Sequence, residues 1–137
     1  MKLTAYIDGS CFGNPGESGY GVMLQDEQGG TLELLGRYIG KGTNNIAEYH
    51  GLLGAIELAA KYHAVFLKVF SDSELLVKQM NGEYRIKQPH LIDLHQKICQ
   101  ALEDKNIDLD IHHISRNENK VADGLARKAI RMQRDVT

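Results

Sequence analysis

The sequence predicts an α/β fold built around a parallel strand–helix–strand crossover. Two short, mostly apolar runs, Leu3–Ile7 and Ala64–Phe70, have the composition of strands buried in a sheet. A helical pattern lies between them, and a helix that joins two strands of one sheet makes a right-handed parallel crossover. Both strands should therefore end at the same edge, where ligands bind in open α/β sheets. Each run leads to a carboxylate, Asp8 and Asp72, so two acids are expected side by side there.

The segment between the first strand and the helix has the signals of a hairpin. Residues Gly9–Gly16 are dense in Gly, Ser and Asn and predict a loop after Asp8. A second strand is predicted over Gly19–Gln25 and a third over Thr31–Ile39, joined by a turn at Asp26–Gly30.

The helix that follows carries an acid on its apolar side. Thr43 or Asn44 is predicted to cap it, and it should run to about Tyr62. Glu48 lies one turn before the apolar stripe and on the same side, whereas Glu57 is about 180° away and should face solvent. Burying an unpaired carboxylate is costly, so Glu48 is interpreted as a functional residue. The stripe consists of Leu52, Ala55, Ile56 and Ala59.

The C-terminal half predicts three more helices and one strand. Ser73–Met80 and Pro89–Lys105 have helical patterns, and Leu109–Ile114 is the last predicted strand. Asn119 is predicted to cap the closing helix, which places Asp123 in its first turn. The side expected to face the body comprises Val121, Ala122, Leu125, Ala126 and Ala129.

Composition predicts one domain spanning residues 1–137, with no internal repeat, linker, signal peptide or membrane-spanning run. A net charge of −2 argues against strong non-specific binding of nucleic acid, so local features or metal ions would have to hold any polyanion. Cys11 and Cys99 have no metal-ligand or disulfide spacing, so reduced thiols in the cytoplasm are expected.

Four acids, Asp8, Glu48, Asp72 and Asp123, are expected to converge with no base close to them in sequence. Clustered carboxylates repel and raise one another's pKa, and divalent cations relieve that repulsion. Oxygen ligands favour Mg²⁺ or Mn²⁺ over Zn²⁺, and no Cys/His cluster is present. Two such ions about 4 Å apart can activate a water and stabilise a leaving oxygen in phosphodiester hydrolysis.

Four sequence blocks occur in order over most of the chain: Asp8-Gly9-Ser10 with Asn14-Pro15-Gly16, Thr43–Glu48, Ser71–Ser73 and Asn119–Asp123. Together these blocks resemble those of the type 1 ribonuclease H family. The resemblance implies a ribonuclease H-like fold, with three antiparallel strands followed by parallel crossovers in a mixed five-stranded sheet, and helices on both faces. It also implies a monomeric enzyme that hydrolyses the RNA strand of RNA–DNA hybrids with two Mg²⁺ ions, for which Mn²⁺ can substitute, leaving 5′-phosphate and 3′-hydroxyl ends.

The resemblance assigns roles to individual positions. The four acids would be the metal ligands and catalytic residues. Gly9, Ser10 and Cys11 would contact ribose 2′-hydroxyls, which distinguish RNA from DNA. Thr43, at a helix N-terminus, would bind a DNA phosphate. The residues that would contact the minor groove and the bases are Asn14, Asn44, Asn45 and Glu74; turn and cap chemistry also suits several of these positions.

Two departures from the family pattern affect binding and catalysis. Only Asn81–Gln88 occupies the place of an extra helix and basic protrusion, so hybrid affinity should be weak and salt-dependent. The loop before Asp123 is also short. Arg116 is the predicted catalytic residue of that loop, because His113 alternates with apolar strand residues and is expected to face the core. Arg127, on the closing helix, is assigned to a solvated face.

Two alternatives stay open from the sequence. One is a module that binds RNA–DNA hybrids without cleaving them, although the presence of all four acids argues against it. The other is an integrase-like nuclease or phosphotransferase, which would share the metal chemistry but lack the asparagine-rich minor-groove set.

Overall fold

The computed structural model describes residues 1–137 and contains one five-stranded sheet in the order β3-β2-β1-β4-β5. The strands are β1 Lys2–Phe12, β2 Gly16–Gln25, β3 Thr31–Gly42, β4 Phe66–Ser71 and β5 Asp108–His113. The α-helices are α1 Asn44–Lys61, α2 Glu74–Met80, α3 Pro89–Lys105 and α4 Lys120–Met132, with a 3₁₀ turn at Arg116–Glu118 before α4.

The sheet is mixed, as expected. β1, β2 and β3 pair antiparallel, whereas β1, β4 and β5 pair parallel through helical crossovers. Ile7 lies opposite Ser71, so the next residues, Asp8 and Asp72, leave the parallel pair at the same edge. This confirms the placement inferred from the two apolar runs.

The first strand is longer than its apolar run indicates. Gly9–Phe12 was expected to be loop, but it continues β1 and pairs with Glu17–Tyr20 of β2. Only residues 13–15 form the turn. The cause is the hairpin partner, which satisfies the backbone hydrogen bonds of polar residues that would otherwise favour a loop. Likewise, β3 continues through Gly42, beyond its expected end at Ile39.

Helices cover both faces of the sheet. On one face α1 packs against β1 and β2 and also contacts α3. The main core lies between these helices and the sheet, and the expected stripe of α1 is fully buried in it. On the other face α4 packs against β1, β2 and β3. This approach is close: a Cβ at Gly21 would lie 2.1 Å from the Ala122 carbonyl oxygen.

One position of α4 was predicted incorrectly. Val121 was assigned to the side facing the body but is 47% exposed, whereas its neighbour Ala122 is fully buried. Successive helix residues point about 100° apart, so the close contact of Ala122 with β2 turns Val121 outward. The other four residues assigned to that side are buried.

At the far edge of the sheet, the backbone of Val136 pairs with Gly36 of β3, which gives this edge strand a short partner. None of the helices combines the length and hydropathy needed to cross a bilayer.

Candidate active site

Three carboxylates meet at the edge of the sheet where β1 and β4 diverge from their parallel pairing. One side-chain oxygen from each of Asp8, Glu48 and Asp72 lies within 4.8 Å of the other two. Asp8 and Glu48 are buried and Asp72 is half-buried. Asp8 comes from β1, Asp72 directly follows β4, and Glu48 projects inward from the second turn of α1. The helical periodicity therefore oriented Glu48 and Glu57 correctly, because Glu57 is exposed.

Gly9 brings α1 to the site. A Cβ at this position would lie 2.4 Å from the Glu48 backbone nitrogen, so any larger residue would push the helix away from β1. At this close approach the Gly9 N–H donates a hydrogen bond to Glu48 Oε1. This bond fixes the orientation of the Glu48 carboxylate toward Asp8 and Asp72.

The fourth acid, Asp123, lies beside this group. It lines the same cleft as Asp8, whose pKa is raised by burial, then by the charge of Glu48 and then by the proximity of Asp123. Asp123 Oδ1 lies 3.5 Å from Ser10 Oγ and 3.2 Å from Arg127 Nε. Arg127 is about half exposed, as expected for a solvated face, and it also lines the cleft. The i to i+4 spacing of Asp123 and Arg127 on α4 allows this ion pair.

Positive charge compensates the acids of the site only in part. Burial is the largest factor that raises the pKa of Asp8, and the negative charge of Glu48 raises it further. Burial likewise raises the pKa of Glu48, assisted by the charge of Asp72 and opposed by the Gly9 hydrogen bond and by Arg116. With no cation bound, the cluster therefore retains protons that ordinary carboxyl groups lose near pH 4.

An open, polar cleft exposes this cluster. Arg116, on the 3₁₀ turn before α4, contributes positive charge to the cleft, as does Arg127. The lining residues are Asp8, Gly9, Ser10, Cys11, Phe12, Asn44, Asp72, Arg116, Asp123 and Arg127.

The expectation that His113 faces the core was wrong, because this residue is exposed. It alternates with the buried Ile111, but it is the last residue of the edge strand β5, where little of the molecule covers it. It is not among the residues that line the cleft.

Of the other predicted substrate residues, all but Glu74 lie around the start of α1. Thr43 caps the helix, accepting a hydrogen bond from Ile46 N–H at 3.2 Å. Asn14 accepts one from Asn44 N–H at 3.1 Å, which ties the β1–β2 turn to the helix N-terminus. Asn45 is half-buried and outside the cleft lining. Glu74, the first residue of α2, is also outside it and pairs with Lys78 at 3.4 Å.

Asn119 is a site residue that the sequence reasoning missed. It occupies the N-cap position of α4, but its side chain makes no capping hydrogen bond. Instead Nδ2 donates to the Ile7 carbonyl at 2.7 Å and to Asp72 Oδ2 at 3.2 Å. The sequence did contain a signal for this role, because Asn119 lies one helical turn before Asp123. A helix cap accounts for an asparagine at that position equally well, so the spacing alone did not identify it.

Known proteins resemble this chain in both sequence and fold. Residues 6–129 match the family described as reverse transcriptase-like. A protein of Chlorobium phaeobacteroides named ribonuclease H is 32% identical over 149 residues, which cover 97% of this chain and 98% of that protein. A bifunctional protein of Mycobacterium tuberculosis is 36% identical over 95% of this chain. The chain spans only 36% of the length of that mycobacterial relative.

The fold agrees with these sequence matches. The crystal structure of LC11-RNase H1 in complex with an RNA/DNA hybrid superposes with a TM-score of 0.91 at 38% identity, covering 96% of this chain and 98% of that one. The two proteins therefore share one fold over nearly their whole lengths. Since the family match extends over most of the chain and a ribonuclease H relative is matched almost from end to end, this protein belongs to the ribonuclease H family.

Proposed function

We propose that this protein is an endoribonuclease that hydrolyses the RNA strand of RNA–DNA hybrids, leaving 5′-phosphate and 3′-hydroxyl ends. The observation that carries the proposal is the meeting of Asp8, Glu48 and Asp72 in an open cleft, in a chain of the ribonuclease H family. A buried cluster of three like charges has no stabilising role of its own in a fold, so its presence favours catalysis.

The donor set fits hard divalent cations. The carboxylate oxygens lie close enough to share an ion. The pKa values of Asp8 and Glu48 are raised first by burial and then by the charge of neighbouring acids, and a bound cation would offset both effects. The site contains oxygen donors and no imidazole, which favours Mg²⁺, with Mn²⁺ able to substitute. Asp8, Glu48 and Asp72 would hold the ions, with Asp123 assisting from α4. When bound, a pair of such ions supplies activation of the attacking water and charge stabilisation for the leaving oxygen.

The chain's own groups prepare the site for this chemistry. The Gly9 N–H holds Glu48 in place. Arg127 holds Asp123 through their ion pair, at 3.2 Å. Arg116 extends into the same cleft as a permanently charged group that can contact a phosphate but is a poor general base. We assign Arg116 to the phosphate that is cleaved.

Groups beside the acids suit the recognition of a hybrid. Gly9, Ser10 and Cys11 form the cleft wall next to Asp8, where hydroxyl and backbone groups can contact ribose 2′-hydroxyls. The N-terminus of α1, capped by Thr43, is suited to a phosphate of the DNA strand. The Asn14 side chain accepts a hydrogen bond from the Asn44 backbone N–H beside this helix start, and we assign the side chains of Asn14 and Asn44 to the minor groove. Minor-groove roles for Asn45 and Glu74 stay predictions, as do a monomeric state and a cytoplasmic location.

A matched pair of glutamate variants tests the proposal. Purified wild type, Glu48→Gln and Glu57→Gln would be incubated with hybrid labelled on either strand, with duplex RNA and with duplex DNA, in Mg²⁺, Mn²⁺ or EDTA. We expect wild type to cut only the RNA strand of the hybrid, and only with a divalent cation. Glu48→Gln should lose more than about 100-fold in rate, whereas Glu57→Gln, on the exposed side of the same helix, should keep the wild-type rate.

Three outcomes would contradict the proposal. Equal losses of cleavage rate in Glu48→Gln and Glu57→Gln would show that the acidic cluster has no special role in cleavage. Cleavage of duplex DNA at a comparable rate would favour the integrase-like alternative. Tight binding of hybrid with no cleavage in either metal would favour a non-catalytic binding module.

A further inference from the structure

The side chain of Asn119 joins three parts of the acidic site that are distant in sequence. It is 1% exposed and lies at the start of α4. Its Nδ2 group donates to the carbonyl of Ile7, the residue before Asp8, and to Oδ2 of Asp72. These contacts connect the ends of β1 and β4 to the helix that carries Asp123.

The orientation of the amide is fixed by its partners. Both neighbouring atoms are acceptors, and only the NH₂ end of an asparagine can donate to two acceptors at once. The carboxamide oxygen is consequently left buried without a hydrogen-bond partner. An unsatisfied buried acceptor is costly, so the contacts of the NH₂ group are maintained against a local penalty.

The Asn119 side chain also does not make the hydrogen bond expected of a helix N-cap. An asparagine at an N-cap ordinarily accepts a hydrogen bond from a backbone N–H of the first turn. Here α4 begins with a backbone bond from Asp123 N–H to the Asn119 carbonyl at 3.1 Å, and the side chain contributes no cap. A residue that breaks a local rule in favour of a distant contact is expected at functional sites.

We propose that Asn119 is a positioning residue, which fixes the Asp72 carboxylate so that its remaining oxygen is directed at the cation site. One hydrogen bond to Oδ2 removes the freedom of the carboxylate to rotate, and the bond to Ile7 keeps the donor itself in place. The same anchoring docks the first turn of α4 against β1, which holds Asp123 beside Asp8. This inference rests on the proposed metal-dependent function, because it assigns a role toward the same acidic group.

The test measures metal binding separately from cleavage. Mn²⁺ would be titrated into the full-length chain without nucleic acid, by calorimetry or by the loss of the free-ion electron paramagnetic resonance signal. Asn119→Ala should weaken Mn²⁺ binding about 10-fold or more, the usual effect of removing a hydrogen-bond partner of a metal ligand. The Mg²⁺ concentration that gives half the maximal cleavage rate should rise by a similar factor, with KM for hybrid unchanged. If the alanine variant does not fold, Asn119→Ser provides the smaller change.

Gln79→Ala is the matched control. Gln79 is also buried and polar, and it joins Tyr49 Oη at 2.5 Å to the Arg85 carbonyl at 3.2 Å, away from the acids. This variant should lose thermal stability but keep the wild-type Mn²⁺ affinity. Wild-type Mn²⁺ affinity in the folded Asn119 variants, or equal weakening in Gln79→Ala, would overturn the proposal. A wild-type protein that binds Mn²⁺ but cleaves no hybrid would overturn the proposed function, and the Mn²⁺ comparison would still decide the role of Asn119.

Discussion

Replacing Asp8 with asparagine should make the metal-free protein more stable. The side-chain oxygens of Asp8, Glu48 and Asp72 lie within 4.8 Å of one another. Two unit charges at that spacing repel by about 3 kcal/mol at an effective dielectric constant of about 20, and Asp8 takes part in two of the three pairs. At pH 8 the raised pKa of Asp8 keeps this group largely protonated in the folded protein, so the repulsion appears as the free energy needed to protonate a carboxyl that is ionised in the unfolded chain, a cost that asparagine does not carry. We therefore expect a net gain of about 2 kcal/mol in the free energy of unfolding.

The assay is thermal unfolding followed by circular dichroism at pH 8. In EDTA, a gain of about 2 kcal/mol should raise the Tm of Asp8→Asn by about 6–10 °C above wild type. Adding excess Mg²⁺ should raise the Tm of wild type more than that of the variant, because the cation binds the intact site more tightly. The stabilisation of the folded state grows as RT ln(1 + c/Kd), where c is the free Mg²⁺ concentration, so it is larger for the tighter site. Glu57→Gln removes the same charge at an exposed position, so its Tm should match that of wild type both in EDTA and in Mg²⁺.

The pH dependence provides an internal check on the sign. The raised pKa values of Asp8 and Glu48 mean that the folded state holds protons that the unfolded state releases above about pH 4. The stability of metal-free wild type should therefore fall as the pH rises from about 5 to 8, and the advantage of Asp8→Asn should shrink toward pH 5. A variant that is less stable than wild type in EDTA at pH 8 would refute the view that the acids repel one another.

Two further pairs of variants separate the cleft from its surroundings. Arg116→Ala should lower turnover about 10-fold with the fold intact, because a positioned charged contact is lost. His113 is exposed and lies outside the cleft, so His113→Ala should change neither the cleavage rate nor the Tm. The measurement is turnover corrected for the folded fraction, and the opposite pattern would assign the catalytic role to the His113 imidazole. Gly9→Ala should lower both the Tm and the cleavage rate, because the added Cβ would lie 2.4 Å from the Glu48 backbone nitrogen. A Cβ at Gly124 of α4 meets no atom within 4 Å, so Gly124→Ala should add about 0.5–1 kcal/mol to the free energy of unfolding. A Gly9→Ala enzyme with wild-type rate and Tm would show that the approach of α1 is not tight.

The acids were predictable from sequence because their placement depends on local periodicity. Asp8 and Asp72 each end an apolar run, and the crossover rule alone brings parallel strand ends to one edge. Glu48 was oriented by counting 100° per residue from a stripe that proved fully buried. The ranges of the helices followed from the same patterns, within a residue or two at their ends.

The failures all required knowledge of what lies across the fold. Alternation along β5 indicates that His113 lies on the same face as Ile111. It does not indicate that, at the end of the strand, no other part of the molecule buries that face. The apolar spacing in α4 could not reveal that Ala122 contacts β2 so closely that Val121 is turned outward. Asn119 satisfies every local criterion for a cap, yet its side-chain partners lie 47 and 112 residues away in sequence.

The balance of charges in the cleft supports a catalytic interpretation of these long-range contacts. A fold selected only for stability would place a base among buried acids or replace one of them, since an unpaired buried carboxylate costs several kcal/mol. Here the cations of the cleft, Arg116 and Arg127, lie at its exposed rim, while a buried neutral amide, Asn119, is the group that contacts Asp72. A neutral donor orients a carboxylate without neutralising it. The site therefore keeps its negative charge available for a cation at the expense of metal-free stability, which is why the stability of Asp8→Asn and its cleavage activity should change in opposite directions.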